Sequence, residues 1–438
     1  MKVFFNTFGC KTNQYDSALL GQSLEQAGIE LADGPGAADW VVVNTCAVTR
    51  RGEDKACQWV RKIGREHPSA RIAVVGCSVE TSADRFREIE GVKLLLGTEE
   101  KFRLGEVLND LTVEVEKNSG NDRVNVEQAG AVRGVDSFSQ AAALTHRTDR
   151  SRAYVKIQDG CDNRCTYCIV PYVRGSSRSR PAGQVVQESR LLEAEGHGEA
   201  VLTGIHTGGW GRDLVPPGTL SGLVEAILAE TGTIRLRLSS IDINEIDSAL
   251  VDLMCGHPRV CRHLHVPLQH GSDRILQAMG RRYSSAEYAG KLKKITDRIP
   301  QLGLGTDVIV GFPGEGEEEF EECRRLIESL PFTYLHVFPY SPRPGTSAAR
   351  LEGRPPKPVV RERVKVLREL SQAKHQRFLH SLAGAELSVL KESILAGGVT
   401  AARAGNYVRV YLRGACPEGV FRARAAEVWR DGVRAEML

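Results

Sequence analysis

No apolar run in this 438-residue chain approaches the roughly 20 residues that a membrane-crossing helix needs. The opening, MKVFFNTFGCKTNQYDS, meets a Cys, a Lys and an Asp too early to build the apolar centre of a signal peptide. The expectation is a soluble cytoplasmic protein with no membrane partner. Net charge is nearly absent: 58 Lys and Arg against 55 Asp and Glu leave +3, which selects no class of partner. Low-complexity tracts and short repeats are missing too. A composition 41% hydrophobic and 26% charged excludes a disordered chain. At about 150 residues per domain the length implies about three domains, since a single core rarely grows past about 250–300 residues.

What is present is unevenly spread. Arg147 to Arg180 carries eight basic residues and three acidic ones, and Arg361 to Arg377 carries six and two. Two basic segments in a near-neutral chain suggest a polyanion groove, with solvated faces as the alternative. Eleven cysteines is a high and odd number. A secreted disulfide scaffold is shorter and even-numbered, so clustered thiols here point to metal binding or catalysis in a reduced compartment.

Short apolar runs alternate with helical patterns through the first hundred residues. Strands are predicted at Lys2–Thr7, Trp40–Thr45, Arg71–Gly76 and Val92–Gly97, with helices at Gln14–Ala27 and Glu53–Glu66. This pattern implies βαβ units and a parallel sheet. It fades over residues 110 to 148, where Asn118-Ser-Gly-Asn-Asp reads as a turn. A second alternating series begins at Tyr154, with strands at Tyr154–Gln158, Ala200–Gly204, Ile234–Ser239, His263–Pro267, Gly305–Val310 and Leu335–Pro339. Six repeats suit an open, partial barrel, with chemistry at the carboxyl ends of its strands. After a charged helix at Arg361–Leu379, the runs Glu386–Leu390, Tyr407–Leu412 and Phe421–Val428 read as a small β-barrel or sandwich. The fold class is α/β: a flavodoxin-like N-terminal sheet domain (1–110), a linker (111–148), a partial (β/α)6 barrel (149–372) and a small β-barrel (373–438).

Cys161, Cys165 and Cys168 form a C-x3-C-x2-C triplet directly after the first barrel strand. Three thiolates from one loop hold three corners of a cubane cluster and leave the fourth iron open. Structural zinc sites are closed and four-coordinate, which disfavours zinc. Cys10, Cys46 and Cys77 each follow a predicted parallel strand, so the carboxyl edge of one sheet brings them together. Gly9 and Gly76 let the backbone approach an inorganic ligand. The alternative is three buried small hydrophobes. Cys57 and Cys323 lie within helical patterns, and Cys255, Cys261 and Cys416 lack partner spacing. His263 and His265 alternate along one strand, which reads as partly exposed strand histidines or a two-His metal edge. His206 and His270 fall in strand-end loops as substrate-contact candidates.

The triplet spacing resembles the signature of radical S-adenosylmethionine enzymes. With the three N-terminal cysteines, the loop GCDNRCTYCIVPYVRGSSRSR, the segment HVPLQHGSD and VIVGFPGE, essentially the whole chain resembles the methylthiotransferase family of that superfamily. The motifs GCKTNQYDS, KIQDGCDNRCTYC and LTGIHTGGWG resemble the branch that thiomethylates N6-threonylcarbamoyladenosine in tRNA. Branches acting on N6-isopentenyladenosine or on a ribosomal-protein aspartate are the alternatives, and a non-catalytic iron–sulfur RNA-binding protein is the alternative of another class.

The resemblance implies two [4Fe–4S] clusters, one on Cys161, Cys165 and Cys168 and one on Cys10, Cys46 and Cys77. It also implies S-adenosylmethionine as cofactor, the tRNA anticodon loop as partner, and an electron donor such as flavodoxin or ferredoxin. Tyr167 occupies the aromatic position before the third Cys. The usual Gly-Gly-Glu is replaced by Thr203-Gly-Ile-His-Thr-Gly, and Ser78-Val79 stands where the family often has an aromatic residue after Cys77. Gly204, Ser239, Gln269 and Val310, at strand ends, are the expected S-adenosylmethionine pocket. Arg174, Arg178 and Arg180 after the triplet, with Arg409 and Arg422 in a C-terminal region resembling the TRAM RNA-binding module, are the expected phosphate contacts.

Overall fold

The structure is a computed structural model that describes residues 1–117, 126–128 and 151–438, with side chains from 1–111 and 151–438. The predicted turn at Asn118 lies outside the described residues. The chain forms two compact units. One combines Met1–His146, Gln158–Arg178 and Ser341–Ala349; the other combines Arg147–Ile157, Ser179–Tyr340 and Arg350–Leu438.

The first unit is built on a six-stranded parallel sheet. Its spatial order is Glu30–Leu31, Lys2–Thr7, Trp40–Thr45, Arg71–Gly76, Val92–Leu96 and Val126–Gln128. The central segments are near-continuous apolar runs, as befits strands covered on both faces. Val42, Ala73, Val75 and Leu94 pack on one side, Val41, Val43, Ile72 and Val74 on the other. Helices Lys11–Gln26, Arg50–Glu66, Cys77–Arg87 and Leu104–Lys117 connect them. The Arg50–Glu66 helix is capped by Thr49, whose Oγ1 accepts from the Gly52 amide at 3.1 Å. Strand Val126–Gln128 lies within the stretch expected to be linker. It follows a helix and pairs parallel to Val92–Leu96, so it is one more βα step, too short at three residues to show a pattern.

The second unit holds six parallel strands in two three-stranded sheets: Arg235–Leu238, Glu199–Thr203 and Arg152–Lys156, then His263–His265, Gly303–Val310 and Tyr334–Pro339. Bridges Leu236–Val260 and Ser240–His265 link the two halves. Side chains alternate. Leu264, Leu304, Val308, Leu335 and Val337 share the apolar core with helix residues such as Tyr288 and Leu292. Glu199, Arg235, Arg237, His263, His265, Asp307, Tyr334 and His336 therefore point to the opposite, polar face.

A 25-residue helix, Lys357–Ser381, leads into a closed barrel of Glu386–Leu395, Val399–Ala404, Arg409–Arg413, Gly432–Met437 and Val420–Trp429. Arg235 reaches the carbonyls of Ser388 (3.0 Å) and Arg403 (2.8 Å), and Arg237 those of Ala404 and Gly405, both at 3.0 Å. Both guanidiniums also bind Glu199, which is fully buried. Burial alone would raise this carboxyl; Arg237 and Arg235 instead hold it well below the usual carboxylate range. The small barrel is thus keyed to the polar face of the strands by charge-assisted bonds.

Candidate functional site

Both sets of cysteines lie in the first unit. Cys10 caps helix Lys11–Gln26, Cys46 follows strand Trp40–Thr45, and Cys77 opens helix Cys77–Arg87 directly after strand Arg71–Gly76. All three stand at the carboxyl edge of the same parallel sheet. Asn13 fixes two of these loops, its Nδ2 donating to the carbonyls of Phe8 and Thr45, both at 2.9 Å. Ser78 Oγ donates to the Cys46 carbonyl at 2.8 Å.

Gly9 has φ +114°, and a Cβ there would stand 2.5 Å from Cys46 Cβ and 3.1 Å from Cys46 Sγ. Gly76 has φ +92°, and its Cβ would meet Asn44 Oδ1 at 2.4 Å. Side-chain-free backbone therefore surrounds the thiols. Cys46 is pushed up to about 12, first by burial and then by Cys10 and Cys77 beside it, with Arg174 opposing. Cys77 is buried, Cys46 half-buried and Cys10 exposed; a thiol held up by burial and two neighbouring thiols ionises readily only with a cation to bind, which fits an iron–sulfur cluster open to solvent on the Cys10 side. None of the eleven cysteines forms a disulfide.

The triplet loop is equally constrained. Gln158 Nε2 donates to the carbonyls of Asp159 (2.8 Å) and Gly160 (2.7 Å) and to Ser177 Oγ (2.9 Å). The Cys161 amide donates to Gly175 O at 3.1 Å and the Cys168 amide to Cys165 O at 3.0 Å. Gly160, at φ +73°, is a residue the sequence reading missed: a Cβ would lie 1.8 Å from the Ser176 carbonyl oxygen. Cys161, Cys165, Tyr167 and Cys168 are all half-buried. Helix Val170–Arg174 follows, and its Val173, with Ile169, packs on Cys77 and Ala47. The loop carrying one thiol set is thus packed against the other.

Arg174 completes this contact and corrects its expected role. Its side chain is 1% exposed. Nη1 binds both Asp159 oxygens (2.9 and 2.8 Å), and Nη2 binds Asn13 Oδ1 (2.7 Å) and Asp16 Oδ2 (3.2 Å). Lys101 Nζ shares that Asp16 oxygen at 2.6 Å. Arg178 is buried with Nη2 on Glu99 at 2.8 Å, and Arg180 is buried against Glu188. None of the three presents a guanidinium to phosphate; the basic run after the triplet is internal wiring. Part of the second basic run is internal as well: Arg363 pairs with Glu315 at 2.7 Å, and Lys374 donates to the carbonyls of Glu328 and Leu330. Arg409 and Arg422 stand 41% and 69% exposed on the small barrel, beside Asp431 and Glu386.

The other candidates lie in the second unit. Gly204 and Ser239 directly follow their strands. Gln269 has φ +67°; its amide donates to Asp307 O and its carbonyl accepts from the Ile309 amide. Val310 corrects the expectation: it is 1% exposed within the apolar core, because alternation aims it at the helices. His206 pairs with Glu245 at 2.6 Å. His270 is buried, its Nδ1 accepting from the Ser272 amide and its Nε2 3.4 Å from Glu315, so it is no substrate contact. His263 and His265 are buried rather than partly exposed, at 3% and 6%. His265 Nε2 lies 2.9 Å from Asp307 Oδ1, and His336 Nδ1 lies 3.2 Å from the same oxygen. Sequence reading did not bring these three together, since they come from two neighbouring strand pairs.

Comparison with known proteins agrees with this geometry. Residues 2–97 match the Uncharacterized protein family UPF0004, and residues 155–327 match the Radical SAM superfamily. Threonylcarbamoyladenosine tRNA methylthiotransferase MtaB of Bacillus subtilis is 36% identical over 89% of this chain and 84% of its own length. The protein of that name from Thermotoga maritima is 34% identical over 97% of each. The tRNA-2-methylthio-N(6)-dimethylallyladenosine synthase of Fervidobacterium nodosum is 33% identical over 91% of this chain and 90% of its own. Among solved structures, the radical S-adenosylmethionine methyltransferase TsrM from Kitasatospora setae, with cobalamin and a [4Fe-4S] cluster bound, superposes with TM-score 0.58 at 15% identity. That match covers 80% of this chain and 74% of TsrM and establishes shared fold alone. Two thiol triads in loops whose glycines leave no room for a Cβ, a radical S-adenosylmethionine domain, and relatives above 30% identity over nearly the full length lead to one assignment: the chain belongs to the radical S-adenosylmethionine methylthiotransferase family.

Proposed function

We propose that this protein adds a methylthio group to carbon 2 of N6-threonylcarbamoyladenosine at position 37 of tRNA. The observation that carries the reading is the pairing of the two thiol triads within one compact unit, together with relatives named threonylcarbamoyladenosine tRNA methylthiotransferase at 34–36% identity. Cys161, Cys165 and Cys168 would hold one [4Fe–4S] cluster; Cys10, Cys46 and Cys77 would hold the other. When bound at the triplet, the cluster supplies the electron for reductive cleavage of S-adenosylmethionine, delivered by a small carrier such as flavodoxin or ferredoxin.

The chain's own residues do the positioning. Gly9, Gly76 and Gly160 keep side chains out of the thiol loops. Arg174 holds both loops in register and places a fixed positive charge near the thiols, which favours their ionised form. Tyr167 stands within the triplet, directly before Cys168. Gly204, Ser239 and Gln269 would bind S-adenosylmethionine at the strand ends. Arg409 and Arg422 would meet tRNA phosphates, exchanging surface carboxylate partners that hold them weakly. An anticodon-loop base splayed out of its stack exposes carbon 2.

Nucleoside mass spectrometry of tRNA from cells with and without the gene tests the reading. Selective loss of 2-methylthio-N6-threonylcarbamoyladenosine is expected. Loss of the 2-methylthio-isopentenyl nucleoside instead would reassign the substrate, and no change in either would refute a tRNA substrate.

A further inference from the structure

Among the described residues, His265, Asp307 and His336 bring an imidazole, a carboxylate and a second imidazole within 4.8 Å of one another. They share the polar face of the strands and lie in the second unit, which contains none of the six cysteines discussed above. The sheet register builds the arrangement. Asp307 is directly opposite His336, and His265 is opposite Gly305, two residues before Asp307. Gly305 makes room for a supporting ring: a Cβ there would lie 2.1 Å from Tyr334 Cζ. The Tyr334 hydroxyl then stands 3.2 Å from His265 Nδ1 and 2.9 Å from His263 Nε2.

Donors about 2.0–2.2 Å from a tetrahedral metal stand roughly 3.3–3.6 Å from one another. The two edges through Asp307 Oδ1, at 2.9 and 3.2 Å, are already close to that spacing. The third edge, between the imidazoles, closes by a small movement of His336, whose side chain is 54% exposed. His265 has the outer support common to metal-ligating histidines, its second ring nitrogen being held by Tyr334. Two imidazoles and a carboxylate, with no sulfur, suit zinc or iron(II) rather than a thiolate-bound cluster.

We propose that His265, Asp307 and His336 form a mononuclear site for a divalent first-row metal ion that uses none of the six cysteines. His265 coordinates through Nε2, His336 through Nδ1 and Asp307 through its carboxylate. Three protein ligands leave at least one position open for an oxygen donor such as water or a carboxylate. The opening lies on the side of His336 and Phe338, the exposed end of the polar face.

The test uses the cluster-loaded, full-length protein under anaerobic conditions, so that the cysteines are occupied. Zinc is titrated in competition with a chromophoric chelator, and X-ray absorption at the zinc edge reports the ligands. One zinc per chain is expected, with a nitrogen and oxygen shell at about 2.0–2.1 Å and no sulfur shell at about 2.3 Å. Asp307→Asn and His336→Ala are each expected to weaken zinc binding at least tenfold while iron content stays the same. The exposed position of His336 makes His336→Ala decisive should Asp307→Asn fail to fold. A sulfur shell in the wild-type protein, or His336→Ala with unchanged zinc affinity, overturns the proposal and leaves the trio a hydrogen-bonded chain.

Discussion

Replacing Arg174 by Ala separates two roles that the sequence alone does not distinguish. The structure gives the guanidinium four polar contacts to three residues, Asp159, Asn13 and Asp16, with its side chain 1% exposed. Removal takes from the buried Asp159 carboxylate the guanidinium that binds both its oxygens, and from Asp16 one of the two cations on its Oδ2. Breaking a buried pair by deleting one partner costs about 3–5 kcal/mol. At about 2–4 °C per kcal/mol for a domain of this size, the unfolding transition of the N-terminal unit should fall by ~6–20 °C. Anaerobic thermal unfolding followed by circular dichroism reads this on cluster-loaded protein. Binding of an anticodon stem-loop, measured well below the lowered transition, should keep its salt dependence. Loss of a true phosphate contact would instead reduce the slope of log affinity against log salt by about one. A variant of unchanged stability with that reduced slope would refute the structural role of Arg174.

Other outcomes follow from the same reading. Gly76→Ala forces a Cβ into Asn44 Oδ1 at a positive φ, so iron content should fall by about half, with the triplet site retained, as Mössbauer spectroscopy would show; full iron content would contradict the cradle. Glu80 is pushed up to about 7 from 4.5, chiefly by burial and then by Glu100 and Glu99, with the Thr98 amide opposing. Its raised value means that the folded state holds this proton more tightly than the unfolded chain, so its contribution to stability is lost as pH rises from about 4.5 to about 7. Glu80→Gln should remove that loss, worth roughly 1–2 kcal/mol at pH 8 after allowing for partial exposure, and a urea titration at pH 5 and pH 8 that shows equal effects would contradict it. Arg237→Met removes one of the two guanidiniums on buried Glu199, leaving it to Arg235, and releases the Ala404 and Gly405 carbonyls. It should destabilise the second unit by about 1.5–3 kcal/mol, the range for losing hydrogen bonds to a charged group, and expose the small barrel to limited proteolysis.

Much of the fold was legible locally. Lys2–Thr7, Trp40–Thr45 and Arg71–Gly76 are strands at the predicted residues, because short apolar runs between helical patterns admit few other readings. The barrel strands likewise fall within a few residues of their predicted spans, and the C-terminal runs close into one five-stranded barrel. The placement of Cys10, Cys46 and Cys77 at strand ends followed from the same pattern, since all parallel strands end at one edge. Strand Val126–Gln128 was not legible, because three residues carry no period.

Charge and facing were decided only by the tertiary structure. A basic run reads identically whether it meets phosphate or a buried carboxylate. Arg174, Arg178 and Arg180 became internal because Asp159, Asp16, Glu99 and Glu188 arrive from elsewhere in the chain. Val310 and Asp307 sit three residues apart on one strand, yet one enters the apolar core and the other the polar face, and a boundary uncertain by one residue reverses such an assignment. The meeting of His265, Asp307 and His336 depends on register between strands that no local pattern encodes. Sequence by itself determined which residue types stand at the strand ends. Long-range pairing decided which of them face each other, because burial and ion pairing depend on neighbours distant along the chain.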